Sequence, residues 1–278
     1  MFNQFTTGLA LSGGGARGLA HIGVLQALED YGIKVDMVSG TSMGAIVGSL
    51  YCAGYSPIEI LNIAQEKRFV GFFNLKIGKF GLLKTDMLFR ILSELIPADS
   101  FESLKIPMNV CVTNLNTGEY EIKSEGNLIP YIVASSSIPI VFRPQVIGDT
   151  TYIDGGLANN LPVEPLFTFC DKVIGVHVNH KRFIEKVGGI RSVAERSYQL
   201  AIWQTVKDRL AACDLVIEPK KARDFGTFEF SKAKELFEIG YMEAEDVIYR
   251  MTKGLNLGKV DDLIRRKSLI SEGEENKL

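Results

Sequence analysis

Little in this sequence points to a metal centre, a disulfide scaffold or a polyanion partner. Its four cysteines, Cys52, Cys111, Cys170 and Cys213, lie far apart, with no CxxC pair and no histidine cluster beside them. That spacing argues against a zinc site and a small disulfide-stapled domain, and reads as reduced, packed thiols in a cytosolic protein. Charge is almost balanced, with a formal net charge of −2. No general attraction to nucleic acid or an anionic membrane is expected, so any lipid contact must be local. No uncharged apolar run approaches the roughly 20 residues that span a bilayer, and the longest candidate, Ala45 to Gly54, is too short. The opening stretch MFNQFTTGLALSGGG lacks a basic segment and runs straight into glycines, so it reads as a first strand rather than a signal peptide. The expectation is a soluble, cytoplasmic protein.

What is present is an ordinary globular composition over 278 residues, 46% apolar and 23% charged, long enough for one large α/β domain or two small ones. GLALSG (Gly8 to Gly13) is an apolar strand ending in glycines, and Leu19 to Tyr31 follows as an amphipathic helix stopped at Gly32. VDMVSG (Val35 to Gly40) is a second buried strand, and Met43 to Ala53 a second helix closed by Gly54. Strand and helix alternating over short connections imply a mainly parallel sheet flanked by helices. Further strands are expected at Met108 to Leu115, Tyr120 to Lys123, Val173 to Val178 and Leu215 to Pro219. Residues 57–97 read as irregular helix, and two long helices are expected at Ile190 to Cys213 and Phe230 to Lys253. With no repeat and no linker, the chain reads as one domain. Its core spans residues 8–165, further strands and a C-terminal helical layer span 166–255, and a polar tail spans 268–278.

Two loops carry the chemistry. In Ser12-Gly13-Gly14-Gly15-Ala16-Arg17-Gly18, three glycines let the backbone turn sharply and present N–H groups beside a helix start, where negative charge is favoured. The loop also satisfies GxGxxG, but the second strand ends in Ser39-Gly40-Thr41-Ser42 and lacks the terminal acid that a dinucleotide site uses for ribose. Leu19 stands where a phosphate-binding loop would carry lysine. A transient anion fits better than a bound phosphate. The second loop, Gly40-Thr41-Ser42-Met43-Gly44, matches GxSxG where a strand becomes a helix. A tight turn there lifts the serine hydroxyl out of the sheet, while Gly40 and Gly44 relieve crowding. The bland alternative is a helix-capping serine.

A nucleophilic serine needs a proton acceptor. One candidate is Asp154, in Tyr152-Ile153-Asp154-Gly155-Gly156, whose alternative is a turn-forming Asx role. The other is His177, which would complete a Ser-acid-His order but lies inside an apolar strand run and reads as a core or face residue. His21 reads as helix packing and His180 as an exposed loop residue.

Taken in order, GGGARG, GTSMG and DGGLANNLPV resemble the patatin-like phospholipases, most closely their small bacterial members. The resemblance is strong from Gly8 to Pro165 and weaker through Asp214 to Pro219 and FEFSKAKELFEIGY. It implies the three-layer patatin-like fold and a Ser-Asp dyad that requires no histidine. It puts the nucleophile at Ser42, the base at Asp154, and the oxyanion hole at the amides of Gly13, Gly14 and Gly15, with Arg17 as the loop's basic residue. It implies hydrolysis of lipid esters or lysophospholipids through an acyl-enzyme, with no metal and no cofactor. Peripheral membrane contact is a further expectation. The stretch FVGFFNLKIGKFGLL (Phe69 to Leu83) reads either as an apolar lip for acyl chains or as core. Lys220-Lys221-Ala222-Arg223 and Arg265-Arg266-Lys267 read as solvated faces. A carboxylesterase or acyltransferase with the same dyad, and a regulatory anion-binding protein, are the competing readings.

Overall fold

The chain begins with two strand-to-helix units in immediate succession. In the computed structural model, which describes residues 5–73, 85–180 and 188–254, β1 (Phe5–Leu11) passes through a 3-10 turn (Gly15–Leu19) into α1 (Ala20–Asp30). Next, β2 (Met37–Thr41) breaks at Ser42 into α2 (Met43–Ala53). Helices α3 (Pro57–Gln65), α4 (Lys67–Phe73) and α5 (Asp86–Leu95) follow. The first of them starts at a reciprocal cap between Ser56 and Glu59, a device worth about 1 kcal/mol. Then come β3 (Met108–Asn114), β4 (Tyr120–Lys123), α6 (Ile129–Ser135), β5 (Gln145–Ile147) and β6 (Thr150–Asp154). The rest of the fold is α7 (Glu164–Phe169), β7 (Cys170–Val176), α8 (Ile190–Ala212), β8 (Leu215–Ile217) and α9 (Ala233–Gly254).

The described strands form one sheet in the order β5-β6-β3-β2-β1-β7-β8, with β4 paired to β3. From β3 to β8 every pairing is parallel, whereas β4, β5 and β6 pair antiparallel. Successive residues of β1 enter opposite layers, as the period of two requires. Leu9 and Leu11 join Ile22, Leu25, Ile46, Leu50 and Leu236 in the larger core. Ala10 faces Leu161, Leu166, Ile202 and Val206 in the smaller one. Burial on both sides goes with the absence of charged residues from β1 and β2, and each buried Leu or Ile contributes roughly 2 kcal/mol. The expected α/β fold, a mainly parallel sheet between helical layers, is what the chain adopts.

Register prepares the site. Thr41 at the end of β2 pairs with Cys111, and Asp154 at the end of β6 pairs with the next residue, Val112. Adjacent residues of β3 therefore bring the ends of β2 and β6 together.

Several details differ from the pattern reading. A 3-10 turn covers Gly15–Leu19, so α1 starts at Ala20. The β5–β6 hairpin was not anticipated, because β5 has only three residues. β7 ends at Val176, leaving His177 just beyond the strand rather than inside it. His180 is half-buried, not exposed, because it sits against Glu218. Of the stretch expected as lip or core, Phe69 is buried edge-on against Phe230. Residues 74–84 lie outside the described residues, as do Arg265-Arg266-Lys267 and the tail at 268–278.

Candidate active site

Ser42 occupies a conformation that few side-chain-bearing residues adopt, φ 53° and ψ −122°. Such strain persists only when its surroundings enforce it. Here a Cβ on Gly40 would lie 2.6 Å from the Gly44 carbonyl, and one on Gly44 would collide with the carbonyl of Leu11. The Ser42 N–H donates to Ser135 Oγ at 2.8 Å, and the Ser135 hydroxyl donates to the Cys111 carbonyl at 2.6 Å. The Ser42 carbonyl starts α2 by accepting from Ala45 and Ile46. Its hydroxyl makes no capping bond, so the capping alternative does not describe it. Instead Oγ donates to Asp154 Oδ2 at 2.7 Å in a buried setting.

Asp154 ends β6 and opens a 3-10 turn (Gly155–Leu157). Its two carboxylate oxygens divide the two roles weighed for it: Oδ1 accepts the Gly156 N–H at 2.8 Å, as in an Asx turn, and Oδ2 meets Ser42. The backbone is held at both ends, with its N–H on the Ser137 carbonyl and its carbonyl accepting from Thr113 Oγ1. Burial pushes the carboxyl up to about 6, against hydrogen bonds from Ser42 and Gly156 that favour the ionised form, with the nearby Tyr198 hydroxyl acting in the same direction. A serine hydroxyl on a carboxylate that titrates near 6 is an arrangement able to move a proton at neutral pH.

The glycine loop packs directly on this pair, since a Cβ on Gly13 would come within 3.1 Å of Ser42 Cβ. Ser12 N–H bonds the Val176 carbonyl, Ser12 Oγ accepts from the Val178 N–H, and the Ser12 carbonyl takes His21 Nε2 at 2.8 Å. His21 is wholly buried and pushed down to about 4, chiefly by desolvation, so it is neutral and serves as a donor to the loop. The Gly13 N–H donates to the Asn160 carbonyl at 3.2 Å, and the Gly13 carbonyl accepts Asn179 Nδ2 at 2.6 Å. Of the three loop amides expected to face a ligand, that of Gly13 is therefore already engaged. Arg17 donates to the Phe225 carbonyl at 2.8 Å and to Asn179 Oδ1 at 3.2 Å, so its side chain ties the loop to the C-terminal half of the chain.

His177 is drawn the other way. It is buried, with Nδ1 3.0 Å from Glu218 Oε1 and its ring against Trp203. Its recorded partners do not include Ser42 or Asp154. Pattern reading missed Ser135, Asn160, Asn179 and Tyr198. The only sequence signals for the first two were the Ser135-Ser136-Ser137 run closing a helix and the Asn159-Asn160 pair after the DGG turn.

Comparison with known proteins identifies the family. The sequence profile of the family described as patatin-like phospholipase matches residues 9–167. The chain belongs to that family. It is 26% identical over 287 residues to the lysophospholipase NTE1 of Mycosarcoma maydis, covering 87% of this chain and 14% of that protein. It is 33% identical over 175 residues to an uncharacterised NTE family protein of Mycobacterium bovis, covering 62% of this chain and 48% of the relative. The chain thus spans a small part of the first protein and about half of the second. Among solved structures, VipD from Legionella pneumophila shares the fold, with a TM-score of 0.50 and 15% identity over 89% of this chain and 67% of that one.

Proposed function

We propose that this protein is a serine acyl hydrolase that cleaves carboxylic ester bonds of lipids, of the phospholipase A or lysophospholipase type, through a Ser42–Asp154 dyad. The observation that carries the reading is the 2.7 Å hydrogen bond from Ser42 Oγ to a buried Asp154, made at a strained strand-to-helix turn. Membership of the patatin-like phospholipase family supports the lipid ester as substrate.

In this reading Asp154 takes the Ser42 proton as Oγ attacks the ester carbonyl. The amides of Gly14 and Gly15, which have no backbone partner among the described residues, receive the negative charge that develops on the carbonyl oxygen. The start of α2 points its positive end into the same space. One such donor is typically worth about 10²–10³ in rate. Asp154 then returns the proton to the departing alcohol, leaving an acyl group on Ser42. Water, activated by the same carboxylate, releases the fatty acid. Gly13 and Arg17 serve by shaping the loop: Gly13 because its amide is spent on Asn160, and Arg17 through its bonds to Phe225 and Asn179.

The test is hydrolysis of a lysophospholipid and of a short nitrophenyl ester by wild type, Ser42→Ala, Asp154→Asn and His177→Ala, with EDTA present and folding checked for each. Both dyad variants are expected to lose at least about 10³-fold in kcat, with His177→Ala remaining active. An inactive, well-folded His177→Ala would replace the dyad with a triad. A folded wild type that neither hydrolyses these esters nor reacts with a fluorophosphonate would favour a binding role for the glycine loop.

A further inference from the structure

The Asp154 carboxylate has a neighbour that a two-residue site leaves unused. Tyr198 stands on α8, beyond residues 9–167 that match the family. That helix is anchored on one face. Ile202 and Val206 enter the smaller core, Thr205 Oγ1 accepts the Asn160 N–H at 3.2 Å, and Arg209 Nε bonds Glu164 at 2.7 Å. Tyr198 precedes Ile202 by four residues and so shares that face.

Its phenol reaches the site at Gly156. A Cβ on that glycine would lie 2.7 Å from Asn160 Oδ1, 3.0 Å from Asp154 Oδ1 and 3.4 Å from Tyr198 Oη, so all three oxygens border the gap that the absent side chain leaves. The Tyr198 hydroxyl is sealed from solvent and makes no well-aligned hydrogen bond. A buried hydroxyl without a partner is costly, and of the two acceptors at that gap, Asn160 Oδ1 and the carboxylate, it is the charged Asp154 that acts on the phenol. Bonds of this kind are often poorly aligned in a resting site and tighten once substrate binds.

We propose that Tyr198 is a positioning residue of this site, its O–H donating to the Asp154 carboxylate so that Oδ2 stays turned toward Ser42. The proposal rests on the dyad reading and deepens it.

Electrostatics runs the same way. Burial holds the Tyr198 phenol well above its ordinary value, with Asp154 beside it adding to the effect, so it stays protonated and remains a donor. Three other elements meet Asp154. β3 contributes Cys111, a thiol that burial also pushes up and keeps neutral, while the α2 turn contributes Ser42 and the end of α6 the Ser137 carbonyl. No charged side chain is among the causes of the Asp154 shift. Loss of one donor to the carboxylate therefore raises its pKa.

The experiment is the pH profile of kcat/KM for Tyr198→Phe on a nitrophenyl ester, with Tm measured alongside. The acid limb is expected to move up by about half a unit to one unit, a three- to tenfold loss at low pH. The loss should fall in kcat rather than KM and shrink at high pH. Tyr198→Leu should move the limb likewise. Wild type carrying 3-fluorotyrosine, a more acidic phenol on an unaltered chain, should shift it to lower pH relative to labelled Tyr198→Phe. An unmoved limb, or an equal loss at every pH, would reduce Tyr198 to packing and leave the dyad intact. Activity retained by Ser42→Ala would instead remove the dyad itself.

Discussion

Asp154 is the residue on which activity and stability pull apart. Its folded pKa is raised from 3.8 to about 6 by burial, so the protonated form is the one that folding prefers. The associated stability is present below the unfolded pKa and is lost as pH rises through about 6. A shift of two units is worth on the order of 3 kcal/mol for so buried a group. Asp154→Asn is therefore expected to be inactive yet more stable than wild type at pH 8, with the difference closing near pH 4. Urea unfolding at the two pH values checks this. The same titration should make wild-type kcat/KM climb through about pH 6. His21 opposes it in the unfolding balance. Its pKa is lowered to about 4, so its contribution is lost as pH falls below 6.5, and the wild-type stability curve should be flatter than that of Asp154→Asn. Ser42 and Asp154 were legible as residues because glycines flank them in motifs whose only economical reading is a sharp turn. Tyr198 was not, because a tyrosine in a long polar helix has no local mark of what it faces.

At the scale of elements, the close approach of α1 and α9 is made by two glycines. A Cβ on Gly23 would collide with the Phe237 carbonyl, and one on Gly240 with the carbonyl of Ala20. Because α1 starts just past the glycine loop, any shift of α9 reaches Ser12 through His21. Gly240→Ala is expected to lower stability by about 2 kcal/mol or more, since backbone must move to admit the methyl. The gain of up to about 1 kcal/mol in helix propensity would not offset it. Thermal unfolding measures the loss. Both helices were visible from their periodicity, but their mutual contact was not. The β5–β6 hairpin was overlooked for a different reason. Its strands are short, and the signal lay in the turn, where Gly148 takes φ 60° between Ile147 and Thr150. Asp154 looked like a loop residue for lack of that hairpin, although it closes a strand.

For the whole molecule, the near-neutral charge bears on any contact with a lipid surface. Among the described residues no helix is long and apolar enough to cross a membrane. With a formal net charge of −2, no general long-range attraction to an anionic bilayer is expected, since such attraction rests on an excess or a cluster of basic charge. Co-sedimentation with vesicles is accordingly expected to change less than about twofold between neutral phosphatidylcholine and mixtures rich in phosphatidylserine. A steep rise with anionic lipid would instead point to a basic surface acting locally.

Although not α6, α7 or the β5–β6 hairpin, the sequence by itself determined the strands of the parallel part of the sheet, the first two and last two long helices, and the two glycine-marked turns. All of these rest on local physics: periodicity, capping, and the backbone freedom of glycine. Only the tertiary structure decided which oxygen of Asp154 meets Ser42 and that Gly13 spends its amide on Asn160. It also decided that His177 turns to Glu218, and that a tyrosine 44 positions beyond Asp154 comes to lie beside it. These depend on the register of β2 and β6 along β3 and on how α8 seats against the sheet. Such long-range packing is set by the summed fit of many side chains and leaves no mark in any one stretch of sequence.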